Sequence, residues 1–285
     1  MPSVFINQKE FQVKNGEFLI GWYEISSISQ IKGLRDIEEL RVLDLSNNKI
    51  SEISDLEDLK YLQELFLGKN RINEIKGLEK LENLKHLSLN KNIIDQIKGL
   101  EKLIKLRKIG LSGNKITEIK GLSNLNSLGA LFLDDNQITT IKGLENLSKL
   151  EYLFLTRNRI KEIEGLNNLT NLKTLYLSDN EIGEIKGLEN LKNLEVLKIS
   201  KNNIKEIKGL ENLVNLKKLD LHRNQIKEIK GLENLTRLEE LDLTDNKITE
   251  IKGLDNLKNL KSIILFKNPI KVIKDYGFKI ARDLI

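Results

Sequence analysis

The sequence predicts an α/β solenoid, a curved stack of short coils with a parallel β-sheet on the concave face and short 3₁₀ or helical segments on the convex face. Two observations predict this class. Eleven asparagines recur every 22 residues from Asn48 to Asn268, and leucines and isoleucines recur at fixed positions around each of them. Such a register indicates stacked identical coils, because each coil places the same polar group at the same point along the axis.

The first half of each coil predicts a strand and the second half a turn or helix. Leu43 and Leu45 alternate with period two, which places both leucines on one face of a short strand. Leu56, Leu59 and Leu62 follow with period three, which suits a 3₁₀ or short helical segment. One coil cannot bury its own leucines, so we expect the strands to pair in parallel, about 4.8 Å apart, over a continuous core.

The repeated polar and small residues fit a structural role. Each asparagine falls where the chain leaves the strand, so its amide can satisfy buried backbone groups of the turn. A glycine recurs every 22 residues from Gly77 to Gly253, which predicts a turn with unusual φ or a crowded entry to the helical segment. The glycines occur singly, so they do not form a phosphate-binding loop.

We expect one domain, with an N-terminal cap at residues 1–39, eleven repeats at 40–268 and a C-terminal cap at 269–285. A β-hairpin over residues 11–20, turning at Asn15-Gly16, and a degenerate coil would form the first cap. Trp22 is expected to cover the first leucine layer. The C-terminal cap is predicted to contain a short amphipathic helix with the apolar residues Tyr276, Phe278, Ile280, Ala281, Leu284 and Ile285.

The repeat pattern resembles that of leucine-rich repeat proteins over residues 40–268. The first unit carries it as Leu40, Leu43, Leu45, Asn48, Ile50, Ile53, Leu56 and Leu59. The 22-residue length and the second half, I-x-x-I-x-G-L-x-x-L, resemble the leucine-rich regulatory subunit of protein phosphatase 1 and the bacterial internalins. The phosphatase-subunit resemblance implies binding through aromatic and acidic residues at strand centres. Asp44 and Phe66 fit this, whereas Ser88 and Gly110 do not, so a phosphatase regulatory factor is the weaker expectation.

Composition limits the function classes. The 285 residues carry a net charge of +5 and no cysteine, which excludes disulfides and thiolate metal sites. Lysine and glutamate rows, such as Glu74 and Lys76, predict a solvated ladder off the strand face instead of a nucleic-acid surface. No signal peptide or membrane-length apolar run is present in this sequence, so we expect a cytoplasmic protein; a processed secreted chain also fits. We expect no cofactor, metal, nucleic-acid or membrane partner.

The scarce aromatic residues indicate where a partner binds. In the repeats, all but one fall on the columns of strand residues that point away from the core, and Phe132, Tyr152, Phe154 and Tyr176 lie on consecutive strands. Tyrosine and phenylalanine are favoured interface anchors, and a charged rim sets orientation. Alternatively, the rings stack and stabilise the coils. The predicted partner-binding residues are Phe66, Phe132, Tyr152, Phe154, Tyr176, Asp134, Asp135, Arg157, Asp179, Lys198, Asp220, His222 and Asp242.

The sequence therefore predicts a non-enzymatic scaffold that binds a protein on its concave face as a monomer. A self-associating structural protein, a homo-oligomer, is the alternative. An enzyme is a third hypothesis, because His222 beside Asp220 and Asp242 could form a metal site or an acid–base pair. No nucleophile motif accompanies these residues, and an open sheet exposes them to water, so we assign no catalytic residue.

Overall fold

The computed structural model describes residues 2–271 and 279–281. The chain divides into two compact units, Met1–Gln137 and Ile138–Ile285, and both are built from stacked coils with a parallel sheet. The predicted solenoid class is confirmed. The strands of the first unit are β1 Ser3–Ile6, β2 Lys9–Gln12, β3 Glu17–Leu19, β4 Val42–Asp44, β5 Glu64–Phe66, β6 His86–Ser88, β7 Lys108–Gly110 and β8 Ala130–Phe132. Those of the second are β9 Tyr152–Phe154, β10 Thr174–Tyr176, β11 Val196–Lys198, β12 Lys218–Asp220, β13 Glu240–Asp242, β14 Ser262–Ile264 and β15 Lys279–Ala281.

Within each unit the strands pair in sequence order, with each coil in register with the next. In the first unit β3 to β8 form a parallel sheet, and in the second β9 to β15 do the same. Leu175 on β10 faces Leu153 on β9 and Leu197 on β11. This pairing places the central leucine or isoleucine of each repeat strand at the same depth, so these side chains form one continuous row within each unit.

The core consists of leucine and isoleucine side chains from both halves of each coil. In the coil that carries β10, Leu172, Leu175, Leu177 and Ile182 are fully buried. Complete burial of one such side chain contributes roughly 1.5–3 kcal/mol relative to an exposed one. Because every coil repeats this set, its neighbours supply the burial that a single coil lacks.

The asparagines satisfy the backbone of the turn that follows each strand, as the sequence predicts. The buried Asn202 accepts a hydrogen bond from the Ile182 N–H at 2.9 Å. Its amide nitrogen donates to the carbonyls of Leu177, Ile199 and Ser200. Two of these partners belong to the preceding coil, so each asparagine both closes its own turn and joins two coils.

The repeated glycine meets both predicted requirements. Gly187 has a φ of +76°, and a Cβ added there would lie 2.5 Å from the carbonyl oxygen of Ile163 in the coil before. An L side chain at this position would be strained and would also collide with backbone.

The convex segments of the repeats are turns, not helices. Leu59 N–H donates to the Leu56 carbonyl, and Leu62 N–H donates to that of Leu59. A 3₁₀ helix needs consecutive bonds of this kind, and these are three residues apart, so each closes only a single turn. The 3₁₀ helices of the described chain are Ile28–Gln30 and Leu34–Asp36, both in the N-terminal cap.

The N-terminal cap departs from the predicted hairpin. The Asn15-Gly16 turn is present with φ of 54° and 74°, but a single bridge, Lys14 to Glu17, closes it. The paired hairpin is instead β1 with β2, while β3 joins the parallel sheet. Parallel pairing of β3 is favoured over the predicted hairpin because β3 covers the otherwise unpaired backbone of the first repeat strand, β4.

The prediction that Trp22 covers the first leucine layer is wrong. Trp22 is 75% exposed, and Phe18, Ile20 and Val4 are among the buried cap residues. Phe18 pairs with Leu43, twenty-five residues later. The cap coil is therefore three residues longer than the 22-residue repeat, and Trp22 is equivalent to Asn47, since both lie just before the turn asparagine position with φ of 70° and 57°. Residues at this position in later coils, such as Lys69 and Arg157, are exposed with positive φ, and Trp22 is exposed for the same reason.

The C-terminal helix prediction is wrong at Lys279–Ala281, which form the parallel strand β15. Leu265 N–H donates to the Ala281 carbonyl at 2.7 Å. The last repeat strand would otherwise present unpaired backbone groups, and a further strand satisfies them. Tyr276, Phe278, Leu284 and Ile285 lie outside the described residues.

Candidate protein-binding face

The face of the sheet that points away from the leucine core, hereafter the open face, carries the predicted site residues. The central residue of each strand points into the core, so the first and last residues of the strand point outward. Side chains in equivalent positions on neighbouring strands therefore form columns. In the second unit one column reads Phe154, Tyr176, Lys198, Asp220, Asp242 and Ile264.

In the first unit the open face forms a groove between Phe66 and Phe132. Ser88 and Gly110 lie on the two strands between these rings and form part of the groove lining. The two rings are three strand spacings apart, about 14 Å. The Asn90 amide lies over Gly110 and accepts the Ser112 N–H at 2.8 Å, while Lys108 places its Nζ 5.2 Å from the centre of the Phe132 ring.

In the second unit three predicted aromatic residues meet on adjoining strands. Tyr152 and Phe154 lie on β9 and Tyr176 on β10. The Phe154 and Tyr176 rings are 4.8 Å apart and nearly perpendicular, an edge-to-face arrangement. Tyr152 remains 41% exposed, so this aromatic cluster (Tyr152, Phe154, Tyr176) contains both a packed ring pair and a ring that a partner can cover.

Lys198 separates the aromatic cluster from an acidic region. Its Nζ lies 4.6 Å from the centre of the Tyr176 ring, in cation–π geometry. Asp220 is the register partner of Lys198 on the next strand, and Asp242 follows on β13. The open face of the second unit thus changes from aromatic to acidic over about three strands.

Asp220, Asp242 and His222 form a compact group, hereafter the carboxylate cluster. Their nearest ligand-type atoms lie within 4.8 Å of one another. His222 Nδ1 lies 2.7 Å from Asp220 Oδ1, and the His222 N–H donates to the same oxygen. The Thr244 N–H donates to Asp242 Oδ1. The structure thus brings together the three residues that the sequence analysis considered as a metal site or an acid–base pair.

Two charged residues outside the predicted partner-binding set border this cluster. Lys218 Nζ lies 2.8 Å from Glu240 Oε1, and both residues line a groove with Asp220 and Asp242. The hydrogen bond that Lys218 donates to the Glu240 carboxylate raises the pKa of Lys218 above its usual value. Opposite charges at equivalent positions on adjacent strands were the signal in the sequence that could have identified this pair.

The remaining predicted rim residues lie where the chain leaves each strand. Asp135, Arg157 and Asp179 all adopt φ near +55 to +60°. Each comes just before one of the asparagines that recur every 22 residues, hereafter the asparagine ladder. Asp179 pairs with Lys201 at 3.7 Å, and Asp134 accepts a hydrogen bond from Ser112 Oγ. These positions are exposed or half-buried, as a rim requires.

The lysine and glutamate rows lie off the sheet face and compensate one another, as expected. Lys98 pairs with Glu74 at 2.8 Å and Lys186 with Glu162 at 3.0 Å. These hydrogen bonds lower the pKa of Glu74 and raise those of Lys98 and Lys186. Among the residues that the structure describes, no helix is long and apolar enough to cross a bilayer.

Comparison with known families identifies the fold. The family model "Leucine Rich repeats (2 copies)" matches residues 38–79, 60–102, 130–168, 148–190, 170–212, 192–234 and 236–276. These ranges cover most of the chain, so the protein belongs to the leucine-rich repeat family. A comparison with curated proteins found no match.

Similar solved structures include bacterial leucine-rich repeat proteins. An internalin (inlF) from Listeria monocytogenes is 27% identical with a TM-score of 0.77, over 95% of this chain and 87% of that one. A leucine-rich repeat protein of Leptospira interrogans is 27% identical with a TM-score of 0.70, over 84% and 75%. A chain in an octameric complex of Latrophilin 3, Unc5D and FLRT2 is 25% identical with a TM-score of 0.78, over 92% and 84%. The internalin resemblance is confirmed; the phosphatase-subunit resemblance stays a prediction.

Proposed function

We propose that the protein is a non-enzymatic, monomeric scaffold that binds another protein through the open face of its sheet. The aromatic cluster of the second unit carries this proposal. In this unit most residues of the open face are polar or charged, yet three aromatic side chains gather on two adjoining strands. Tyrosine and phenylalanine anchor protein interfaces because they bury large areas at little entropic cost.

The arrangement of charges around the cluster supports a protein partner. Lys198, Asp179 and Lys201 border the rings, and each remains half-exposed or exposed to solvent. A mixed polar rim around an apolar centre is the usual anatomy of a protein interface. The similar structure that contains FLRT2 is an assembly with other proteins, which makes the same use of this fold plausible here.

The predicted site also includes Phe66 and Phe132 of the first unit. Their groove has an aromatic ring at each side, and between them the Asn90 amide covers Gly110, so a partner loop in the groove would contact this amide and Ser88. We expect this groove to contribute a separate set of contacts, and F66A and F132A test it independently of the aromatic cluster.

Affinity capture from the native host lysate tests the proposal. We expect the wild-type protein to retain a specific partner that the Y152A/F154A/Y176A variant loses. Tyr61 provides the matched control, since it is an aromatic residue of the repeats that is 60% exposed away from the strand positions. Y61A should retain the partner. Equal capture by the triple variant, with its circular dichroism spectrum unchanged, would rule out the aromatic cluster as the site.

Self-association is the second candidate, and the N-terminal cap favours it. Leu19 and Trp22 are 62% and 75% exposed, and Phe5 and Tyr23 are also exposed. An apolar surface of this kind can bury itself against a second copy. Sedimentation at increasing concentration decides the matter. A concentration-dependent dimer that L19S/W22S abolishes would support this candidate, and a monomer at the highest concentration would exclude it.

A further inference from the structure

We propose that the open face of the second unit recognises an extended segment of the partner that carries an apolar and a basic side chain four residues apart. The apolar side chain would contact the aromatic cluster, and the basic one would pair with Asp220 and Asp242. This inference rests on the proposed function and specifies the chemistry of the partner.

The two aspartates form a like-charged pair across neighbouring strands. Asp220 on β12 and Asp242 on β13 are register partners, and both side chains are half-buried. Like charges directly opposite each other in a sheet destabilise it. Among the residues that the structure describes, Asp242 makes no ion pair, and His222 is the only ionisable group paired with Asp220.

The nearby cations are directed elsewhere. Lys198 faces Asp220 in the strand register, yet its Nζ lies over the Tyr176 ring. Lys218 pairs with Glu240, and Arg223 pairs with Asp245. The negative charge of the carboxylate cluster is therefore left for an outside cation, which a partner's lysine or arginine would supply.

The carboxylates are also held in place for such a contact. In each aspartate, Oδ1 accepts a backbone N–H two residues later in the chain. This bond fixes the side chain, and the second carboxylate oxygen can still accept. A planar guanidinium donates two parallel hydrogen bonds, so arginine suits two neighbouring carboxylates better than lysine does.

The separation of the two subsites sets the spacing in the peptide. The midpoint between Asp220 and Asp242 lies two and a half strand spacings from Tyr176, about 12 Å at the usual distance between strands. An extended peptide rises about 3.3 Å per residue and alternates its side chains between two faces. Residues that are four apart lie about 13 Å from each other on the same face, which matches the site, and either order of the two residues satisfies it.

A random peptide library displayed on phage tests the inference with the full-length protein. We expect the wild type to enrich peptides with an apolar residue and an arginine or lysine four positions apart. D220N/D242N should lose the basic preference and bind the enriched peptides at least tenfold more weakly. E162Q/E184Q is the matched control, because it also removes two carboxylate charges from the second unit, but both of these lie off the open face and pair with lysines, Lys186 and Lys208.

The outcomes separate this inference from the proposed function. Enrichment of apolar residues without a basic one would overturn the inference while leaving the aromatic cluster as a site. Equal losses in D220N/D242N and E162Q/E184Q would reduce the effect to net charge and also overturn it. Failure to enrich any peptide overturns the inference as well, and the capture experiment still tests the proposed function.

Calorimetry with Zn²⁺ alone tests whether the carboxylate cluster binds a metal ion instead. Zinc binding that H222A abolishes, without a basic preference in the peptide library, would assign the cluster to a metal ion and overturn the inference.

Discussion

The asparagine ladder and the open face of the second unit lie on the same coils, but they are built in opposite ways. Asn202 and Asn224 make equivalent hydrogen bonds to equivalent backbone atoms, one coil apart. On the open face of the same coils, Lys198 and Asp220 differ in charge and in partners. The asparagine repeats because every coil buries the same backbone N–H and C=O groups in its turn, and these groups need hydrogen-bond partners. The residues of the open face vary because no buried backbone group depends on them.

This difference indicates how the protein separates stability from binding. A change in the ladder leaves buried backbone groups without partners, so it should lower stability wherever it is made. A change on the open face removes contacts with solvent or a partner, so it should affect binding with little loss of stability. The variants below test this separation, beginning with the largest expected effect on stability.

Asn202→Ala should destabilise the protein most. It removes the acceptor for the Ile182 N–H and the donor to three carbonyls, all in a buried turn. Each buried backbone group left unsatisfied costs about 1–3 kcal/mol, so we expect a loss of about 3–5 kcal/mol in the free energy of unfolding. Chemical denaturation followed by circular dichroism measures it.

Asn212→Ala is the matched control for this variant. Asn212 is an exposed asparagine whose amide donates one hydrogen bond to the Glu189 carbonyl. Water can replace that bond, so we expect a change of about 0.5 kcal/mol or less. Equal losses in the two variants would contradict the special role of the ladder.

Gly187→Ala should have the next largest effect. The new Cβ would be forced to a φ of +76° and would lie 2.5 Å from the Ile163 carbonyl oxygen. Strain of this kind costs about 1–3 kcal/mol. In the same coil, Gly183 has a negative φ and open space around its Cβ position, so Gly183→Ala should be neutral or stabilise by about 0.4–1 kcal/mol. Thermal unfolding of both variants checks the opposite signs.

The exposed ion pairs should contribute least. The pKa of Lys218 is raised because it donates a hydrogen bond to Glu240, so its stabilisation is present below the unfolded lysine pKa and is lost as pH rises through the folded value. The pKa of Glu74 is lowered by Lys98, so its contribution is present above the unfolded glutamate pKa and is lost as pH falls through the folded value. These groups are exposed, so the thermal midpoint should stay flat between about pH 6 and 9, where neither titrates. A steep slope in that range would contradict this assignment.

The sequence was sufficient to predict the repeats because their signal is periodic. A regular spacing such as Leu172, Leu175, Leu177 and Ile182 determines which side chains are buried, and the structure agrees. The caps were predicted less well because each occurs once, so no repeated spacing reveals which of its residues cover the end of the sheet. Trp22 occupies the exposed, positive-φ position that precedes the asparagine in later coils, and the three extra residues of the first cap coil hide this correspondence in the sequence. Backbone pairing, which leaves no side-chain pattern, places Lys279–Ala281 in a strand.

The sequence predicted which side chains form the columns of the open face, but it did not predict which of these side chains contact one another. Alternation along each strand indicates that Tyr176, Lys198 and Asp220 point outward. It does not indicate that Lys198 turns towards the Tyr176 ring and away from Asp220. Such choices depend on competing rotamers and charges within a few ångströms, which only the structure resolves.

The most direct test of the account is the affinity of Y152A/F154A/Y176A for the captured partner, measured by calorimetry beside its free energy of unfolding. Interface anchors of this type contribute roughly 2 kcal/mol or more each, so we expect affinity to fall at least 100-fold. Loss of the edge-to-face ring pair should cost stability only about 0.5–1.5 kcal/mol beyond the area it buries. Affinity within a factor of two of the wild type, in a folded variant, would contradict the claim that this face is the binding site.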